Sequence, residues 1–338
     1  MIARIDQLPT LPQLLGAQGY VSHQSGKWWE GSYRQGGFTQ GMTRGFPEAG
    51  GRHGDDGLTI GRQGLEPVFD FVKQAVADKK PFFLWYAPFL PHTPHNPPER
   101  LLSRYRDKVK SLSVARYYAM CEWADENCGA LLDFLEHQGL AENTLIVYIA
   151  DNGWIQDPDS DKFAPRSKLS PYEGGVRQPI LLSWPGTIPA QKYETPISSI
   201  DLAPTILSAA GAQAPESLPG RDLLPAIRDG QPLSARPLFG EGFSHDVFDF
   251  ADPEASLLYR WTIDGPWKLI LTYDGEVGRD RDVHPRTEQR PQLFHLEVDP
   301  QETANVAADH PELVARLAHQ IAAWRPVKSR KTISRWSE

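Results

Sequence analysis

The stretch that most restricts how this chain can fold is Asn143-Thr-Leu-Ile-Val-Tyr-Ile-Ala-Asp151-Asn152-Gly153. A turn-prone Asn opens it, and a short run of almost wholly apolar, β-branched-rich residues follows. That length and composition predict a buried strand of a parallel sheet rather than a helix. The run stops on Asp151-Asn152-Gly153, and in open α/β sheets the ligand crevice lies beyond the carboxyl ends of the strands. A carboxylate beside an amide carbonyl there offers two hard oxygens, the donor type suited to Ca²⁺ or Mg²⁺. Asp-Asn-Gly is equally the signature of an Asx-type turn, so other segments decide between the two.

Two further apolar runs, Pro81 to Ala87 and Pro179 to Trp184, also read as strands, and a weaker one spans Tyr20 to Gln24. Helical patterns run from Leu8 to Gly19, Leu65 to Lys79, Ser113 to Gly139 and Asp201 to Gly211. Thr10 and Asp201 stand as N-caps and Gly139 as a stop. Strands alternating with helices predict an α/β fold, a mostly parallel sheet between helices, over residues 1–235. Beyond about Ala235 the texture changes. Leu257 to Ile263, Trp267 to Tyr273 and Gln292 to Val298 follow as strands, and Pro311 to Trp324 as a helix, predicting a smaller antiparallel α+β domain over 236–338. The glycine-rich stretch from Gly31 to Gly64 has no periodicity, and a loop that long is usually functional or disordered.

A formal charge of -8 does not indicate a nucleic-acid surface. No apolar run of ~18 residues is present, so no membrane helix is expected. Met1 to Pro9 does not read as a signal peptide, which leaves the compartment open. Cys121 and Cys128, seven apart in a helical pattern, are roughly 10 Å apart along the axis, beyond disulfide reach. Free, mostly buried thiols are expected.

Four clusters follow strands or strand-like runs: Lys27, His92, Asp151 with Asn152, and Lys168. Singly each has an ordinary reading, a surface lysine or a loop histidine between prolines. Together they describe a hard-cation site flanked by two lysines and a histidine, able to clamp a sulfate or phosphate. Lysines would neutralise peripheral oxygens, a metal would polarise another, and the histidine would pass a proton to the leaving group.

These residues resemble the sulfatase family of the alkaline phosphatase superfamily. Gly19-Tyr20…Ser25-Gly26-Lys27-Trp28 is similar to its Gly-Tyr…Gly-Lys-Trp-His segment, and Phe82-Phe83-Leu84…Pro91-His92-Thr93-Pro94 to its strand ending in His-x-Pro. Ala150-Asp151-Asn152-Gly153 is similar to its Ser-Asp-Asn-Gly metal segment. Lys168…Tyr172-Glu173-Gly174-Gly175-Val176-Arg177-Gln178-Pro179 follows its Lys…Tyr-Glu-Gly-Gly-Val-Arg-x-Pro. Asp201-Leu-Ala-Pro-Thr-Ile-Leu and Leu293-Phe-His-Leu-Glu-Val-Asp-Pro resemble its downstream signatures. The likeness runs in order from about Leu11 to the C-terminus. It implies sulfate ester hydrolysis, with Asp151 and Asn152 on Ca²⁺, Lys27 and Lys168 on sulfate oxygens, and His92 assisting the leaving oxygen. A sulfated small molecule or glycan is the implied partner. Glu173-Gly174-Gly175 reads as structural, the glycines turning the backbone behind Lys168.

Three departures stand out. The family's paired aspartates and its Cys-x-Pro-x-Arg motif, whose Cys or Ser becomes formylglycine, lie upstream of Gly-Lys-Trp. Neither Cys121 nor Cys128 fits that motif, and Asp55-Asp56-Gly57 reads as a loop turn. Trp29 stands where the family has His; it is either an aromatic wall or a substitution compensated by His53 or His95 at the substrate. Lacking the first strand, the sheet is expected to expose apolar edges. The resemblance therefore implies a start site placed too late, an N-terminally truncated member, or a half that assembles with a separate N-terminal chain, and no turnover by this chain alone. A non-catalytic binder of sulfated ligands and a phosphoesterase of the same superfamily are the alternatives.

Overall fold

The computed structural model describes residues 2–28, 31–45, 59–244, 249, 251–273 and 290–327, with side chains from residue 5 onward. Trp29, His53 and Asp55-Asp56-Gly57, singled out above, lie outside the described residues.

The first sheet has the order β2-β1-β3, with β1 (Val21–Gly26) between β2 (Gln40–Gly41) and β3 (Phe82–Ala87), all parallel. The polar sequence of β1 hides how deep it lies: Ser22, His23, Gln24 and Ser25 are all buried. Most of that polarity is answered locally. Gln24 Oε1 accepts from the Thr43 N–H at 3.0 Å, and Gln24 Nε2 donates to the Gly26 carbonyl at 2.9 Å. Thr39 Oγ1 accepts from the Ser22 N–H at 2.7 Å, which ties the Gly31–Gly64 stretch to the strand.

Helix α1 (Leu11–Gly16) precedes β1, and α2 (Glu66–Ala77) packs Val68, Phe71, Val72 and Ala75 inward. Pro98 opens the single turn α3 (Glu99–Leu102), and the long α4 (Leu112–His137) follows, capped by the Ser111 hydroxyl accepting from the Val114 N–H. Val114, Tyr117 and Cys121 recur at helical spacing along one face of α4. The most deeply buried positions are instead Ala115, Ala119, Met120 and Asn127. Ala115 and Ala119 are small, and Leu101 and Leu102 of α3 pack against them, so α4 buries a second face.

The strand that ends in Asp-Asn-Gly is β4 (Ile146–Ile149). Here the expectation of a buried parallel strand needs correction. Among the described residues β4 pairs only with β5 (Ile180–Ser183), antiparallel, in a separate two-stranded sheet. Tyr148 is 45% and Ile149 38% exposed. An apolar run reports the burial a strand needs; its neighbours decide the burial it receives.

Helices α5 (Glu173–Val176), α6 (Leu202–Ala209) and α7 (Leu224–Arg228) complete this part. Asp201 does not cap α6 with its side chain as expected. Buried completely, it accepts from the N–H groups of Ser198 (3.1 Å) and Arg221 (2.9 Å) and pairs with the Arg236 guanidinium.

The last sheet is an antiparallel meander of β6 (Leu238–Phe243), β7 (Leu257–Asp264), β8 (Trp267–Thr272) and β9 (Gln292–His295). Helix α8 (Pro311–Trp324) covers it, with Leu317 and Ile321 against Leu269 and Leu293. β6 escapes a reading by pattern because Gly240 and Gly242 interrupt it. A Cβ on Gly240 would lie 2.1 Å from the Trp261 indole, so glycine is what lets that ring cross the strand. Among the described residues no helix is long and apolar enough to cross a membrane.

One buried ion cluster ties α5 to the meander. Lys268 of β8, fully buried, places Nζ 2.8 Å from Glu173 Oε1 and 2.9 Å from Glu302 Oε1. Glu302 Oε2 accepts from the Glu173 N–H at 2.6 Å.

Candidate anion-binding site

Lys27, His92, Asp151 and Lys168 come from four distant segments and meet beyond the carboxyl ends of β1, β3 and β4. Lys27 follows β1 directly, and its N–H donates to the Ala87 carbonyl at 2.6 Å. That approach requires Gly26, whose φ is +81° and whose Cβ would fall 1.8 Å from the Ala87 oxygen. Fixed in this way, Lys27 places Nζ 2.7 Å from Asp151 Oδ2 and over the Phe89 ring. Burial by itself would raise the Asp151 carboxyl, but the hydrogen bond and charge of Lys27, with Lys168 adding to them, hold it below its ordinary value.

Lys168 Nζ lies 3.5 Å from His92 Nε2 and 5.6 Å from the centre of the Trp154 ring. His92 Nδ1 sits 2.9 Å from the Thr93 carbonyl oxygen. A carbonyl only accepts, so Nδ1 carries the proton and Nε2 presents its lone pair to Lys168. Burial lowers the His92 pKa first of all; the Thr93 carbonyl opposes this, and Lys168 and Lys27 push it down further. The resting imidazole is therefore neutral at pH 7.

The backbone behind Lys168 is strained on both sides, with Arg166 at φ +59° and Leu169 at φ +65°. The Gly-Gly pair serves close approach rather than a left-handed turn. A Cβ on Gly174 would lie 2.5 Å from the Arg166 oxygen and one on Gly175 2.3 Å from the Ser167 oxygen. Gly153 fits the same way against the Gly174 oxygen, and its N–H donates to the Gly175 carbonyl at 2.9 Å. The Lys168 loop, α5 and the Asp151-Asn152 turn thus form one interlocked backbone unit.

Two contributors carry no sequence signal. Arg62, in the turn between Gly61 and Gly64, sends its guanidinium into the loop that bears His92. It donates to the carbonyls of His92 (3.2 Å), Pro94 (3.3 Å) and Phe89 (3.4 Å) and to Asn96 Oδ1 (2.5 Å), with Trp123 beneath it. Trp154 follows the Asp-Asn-Gly turn and touches the rings of His92, His95, Tyr117 and Phe163. Chain-distant partners define both roles, which no local spacing encodes. His95 is 8% exposed against Tyr117 and Trp154, and among the described residues neither ring nitrogen has a hydrogen-bond partner.

Asp151 and Asn152 are the right donors in kind for a hard cation. Asp151 Oδ2, however, is engaged by Lys27, and Asn152 Nδ2 donates to the Gly153 carbonyl at 2.8 Å. Among the described residues no group of three or more His, Cys, Asp or Glu could hold a metal ion. Ca²⁺ takes about six to eight oxygens, so this donor set does not fit it unaided. Cys121 and Cys128, free thiols as expected, sit on α4, where burial raises both above the usual thiol range.

A parallel α/β layer with a cationic anion cradle at its strand ends, next to a separate antiparallel sheet, belongs to the alkaline phosphatase class of folds. Solved structures agree on the fold. The crystal structure of Ps i-CgsB superposes with a TM-score of 0.71 at 23% identity, covering 93% of this chain and 73% of that one. A structure in complex with its substrate D-glucosamine-2-N,6-O-disulfate gives 0.66 at 18%, covering 95% and 82%. The phosphonate monoester hydrolase of Silicibacter pomeroyi gives 0.64 at 18%, covering 95% and 80%.

The sulfatase profile matches residues 2–212, and the profile for the C-terminal region of N-sulphoglucosamine sulphohydrolase matches residues 167–326; the chain belongs to the sulfatase family. It is 30% identical to N-acetylgalactosamine-6-sulfatase of Canis lupus familiaris over 351 aligned positions, 88% of this chain and 64% of that protein. It is 32% identical to arylsulfatase K of Xenopus laevis over 205 positions, 60% of this chain and 35% of that protein. The chain thus spans roughly half the length of the curated relatives it matches, between 35% and 64% in these two.

Proposed function

We propose that the site binds the sulfate group of a sulfated sugar and belongs to a machinery that hydrolyses sulfate esters. The observation that carries this reading is that Lys27 meets Asp151 and Lys168 meets His92, four separate segments brought to one place. Each lysine supplies a charge-assisted donor to a peripheral sulfate oxygen. An arriving sulfate displaces Lys168 from His92 Nε2 and brings negative charge beside the ring. That charge raises the His92 pKa, so the imidazole takes up a proton at Nε2, where it faces the ester oxygen that must leave protonated. Arg62 holds the His92 loop, and Trp154 keeps Lys168 over its ring.

The reading extends to residues 1–235 as the unit that carries the pocket and 236–338 as a second unit, clamped to it through Lys268. Trp29, His53 and His95 are proposed on the substrate side. Sulfatases use a metal ion, and Asp151 with Asn152 would contribute oxygens to Ca²⁺ only with ligands beyond those described. No residue of this sequence stands in a motif that becomes formylglycine, so the chain by itself is proposed to bind without turning over. A sulfated-glycan binder lacking catalysis is the second reading, favoured by the direct Lys27–Asp151 pair.

Calorimetric titration with galactose 6-sulfate and with inorganic sulfate, plus an aryl sulfate assay with Ca²⁺, tests the proposal. Sulfate-dependent binding without turnover is expected. Absence of binding to either ligand overturns the pocket, and metal-dependent turnover overturns the assigned lack of a nucleophile. Affinity for the sugar sulfate that is unchanged by added Ca²⁺ favours the binder.

A further inference from the structure

The loop that presents Lys168 to His92 is held at both ends by one residue from the segment after β9. At its start the Arg166 guanidinium donates to the Glu302 backbone carbonyl, 136 positions away. At its end the Glu173 N–H donates to Glu302 Oε2 at 2.6 Å, across 129 positions. Tyr172 adds a third link, its hydroxyl donating to Gln292 Oε1 of β9 at 2.8 Å while its ring meets Phe294. Glu302 itself is 1% exposed, and its carboxylate faces the fully buried Lys268.

Backbone strain collects at the same junction. Among the described residues four that are not glycine have left-handed φ. Lys79 is one, just past the C-cap of α2, where such a turn is an ordinary helix stop. The other three are Arg166 (+59°) and Leu169 (+65°), which flank Lys168, and Glu302 (+57°), which holds its loop. Residues with a Cβ stay in this region only where the surroundings over-determine them. Inside the loop the buried Ser167 contributes: its hydroxyl accepts from the Ile155 N–H at 2.5 Å, and its carbonyl from the Ser170 hydroxyl at 2.6 Å. A clamp between two sheets needs only the ion cluster around Lys268. A lysine, with its long flexible stem, stands at a fixed place only if its backbone is fixed first.

We propose that Glu302 is a positioning residue for Lys168, so that the segment after β9 sets the geometry of the anion site. Its carboxylate and its carbonyl fix the two ends of the loop, and the loop delivers Lys168 Nζ to 3.5 Å from His92 Nε2. Glu302 touches no ligand in this role and acts through Lys168. The consequence for binding rests on the sulfate reading; the contact between Lys168 and His92 rests on the loop alone.

Two variants of the whole chain test it. Glu302→Leu removes the acceptor of the Glu173 N–H. Arg166→Asn removes the donor to the Glu302 carbonyl, and asparagine still tolerates the left-handed backbone. Arg166 is exposed, so its variant decides the matter where the buried substitution does not fold. Nuclear Overhauser contacts between the Lys168 Cε protons and the His92 ring protons read the place of Lys168 directly, and calorimetry with inorganic sulfate reads the consequence. The expected result is loss of the contact in both variants, with sulfate affinity weaker by about fivefold, a size ordinary for residues sharing one network. On a Lys168→Met background neither variant should weaken binding further. The two substitutions change the net charge in opposite directions, so a general field effect on an anion would split them, whereas a shared loss reports the loop. A contact that persists in a folded variant, unchanged affinity despite its loss, or equal weakening with and without Lys168 overturns the role. If the parent chain binds no sulfate, the sulfate reading fails, and the ring contact alone decides the positioning of Lys168.

Discussion

Lys27 Nζ and Asp151 Oδ2 stand 2.7 Å apart across 124 positions of sequence, and this pair engages one of the two lysines of the proposed anion site. The Asp151 side chain keeps solvent access while surrounding protein desolvates it in part, and it points at a lysine rather than away from the site. An incoming anion must compete for Lys27, so the pair governs how open the cradle is at a given pH.

Removing either lysine should weaken anion binding without unfolding the chain. Hydrogen bonds to charged groups contribute about 1.5–3 kcal/mol, so Lys168→Met should lower sulfate affinity by about tenfold or more. Lys27→Met should cost more, because it also leaves the Asp151 carboxylate uncompensated beside the anion. Calorimetry on both variants checks this; identical losses contradict the asymmetry.

Arg62→Gln removes the guanidinium from three carbonyls of the His92 loop and from Asn96. Each acceptor left dry costs about 1–3 kcal/mol before water replaces the donor. The variant should lose a few degrees of Tm and the single His92 tautomer. Nitrogen NMR of the ring reads that tautomer directly, and an unchanged Nδ1–H signature argues against the role.

Lys268→Met leaves Glu173 and Glu302 facing each other without their cation. Breaking a buried pair from one side costs about 3–5 kcal/mol. Denaturant titration should show a loss of that size at pH 7, shrinking as the pH falls and a carboxylate protonates. Burial raises the Glu302 carboxyl despite Lys268 and the Glu173 N–H, so it is the one to take the proton. A loss that stays constant with pH contradicts the ionic account.

His23 gives the clearest pH effect. Burial pushes its pKa down to about 4, and Nδ1 has no partner. The unfolded chain takes the proton near the ordinary value of about 6.5, so the unfolded state binds more protons between these limits. Stability should be fully present above the unfolded pKa and fall as the pH drops toward 4, with about 3 kcal/mol lost from this residue. His23→Gln should flatten that part of the curve measured by urea unfolding; an unchanged slope sinks the assignment.

The elements themselves were largely legible, for local reasons. Pro311 and the helical spacing after it specify α8, the apolar run from Phe82 gives β3, and the Gly-rich signatures mark where backbones approach closely. Lys27, His92 and Asp151 each follow a strand, and strand ends are where α/β sheets gather their chemistry, whereas Lys168 is brought beside His92 by the long loop after β4. What one chain position cannot encode was missed. β1 is buried though polar, because Thr39 and Thr43 from outside it and its own Gly26 carbonyl satisfy Ser22 and Gln24. β6 is a strand despite its glycines, because Trp261 lies across them. Arg62 and Trp154 act on residues far away in sequence. β4 is antiparallel and half exposed, because an apolar run fixes only the tendency to pair. Sequence by itself determined the family, the order of elements and the ingredients of an anion cradle, since propensity, patterning and motif are carried by neighbouring residues. Only the tertiary structure decided which strand edges stay open, which lysine is held by a carboxylate and which by a tryptophan, because contact between distant segments is set by packing.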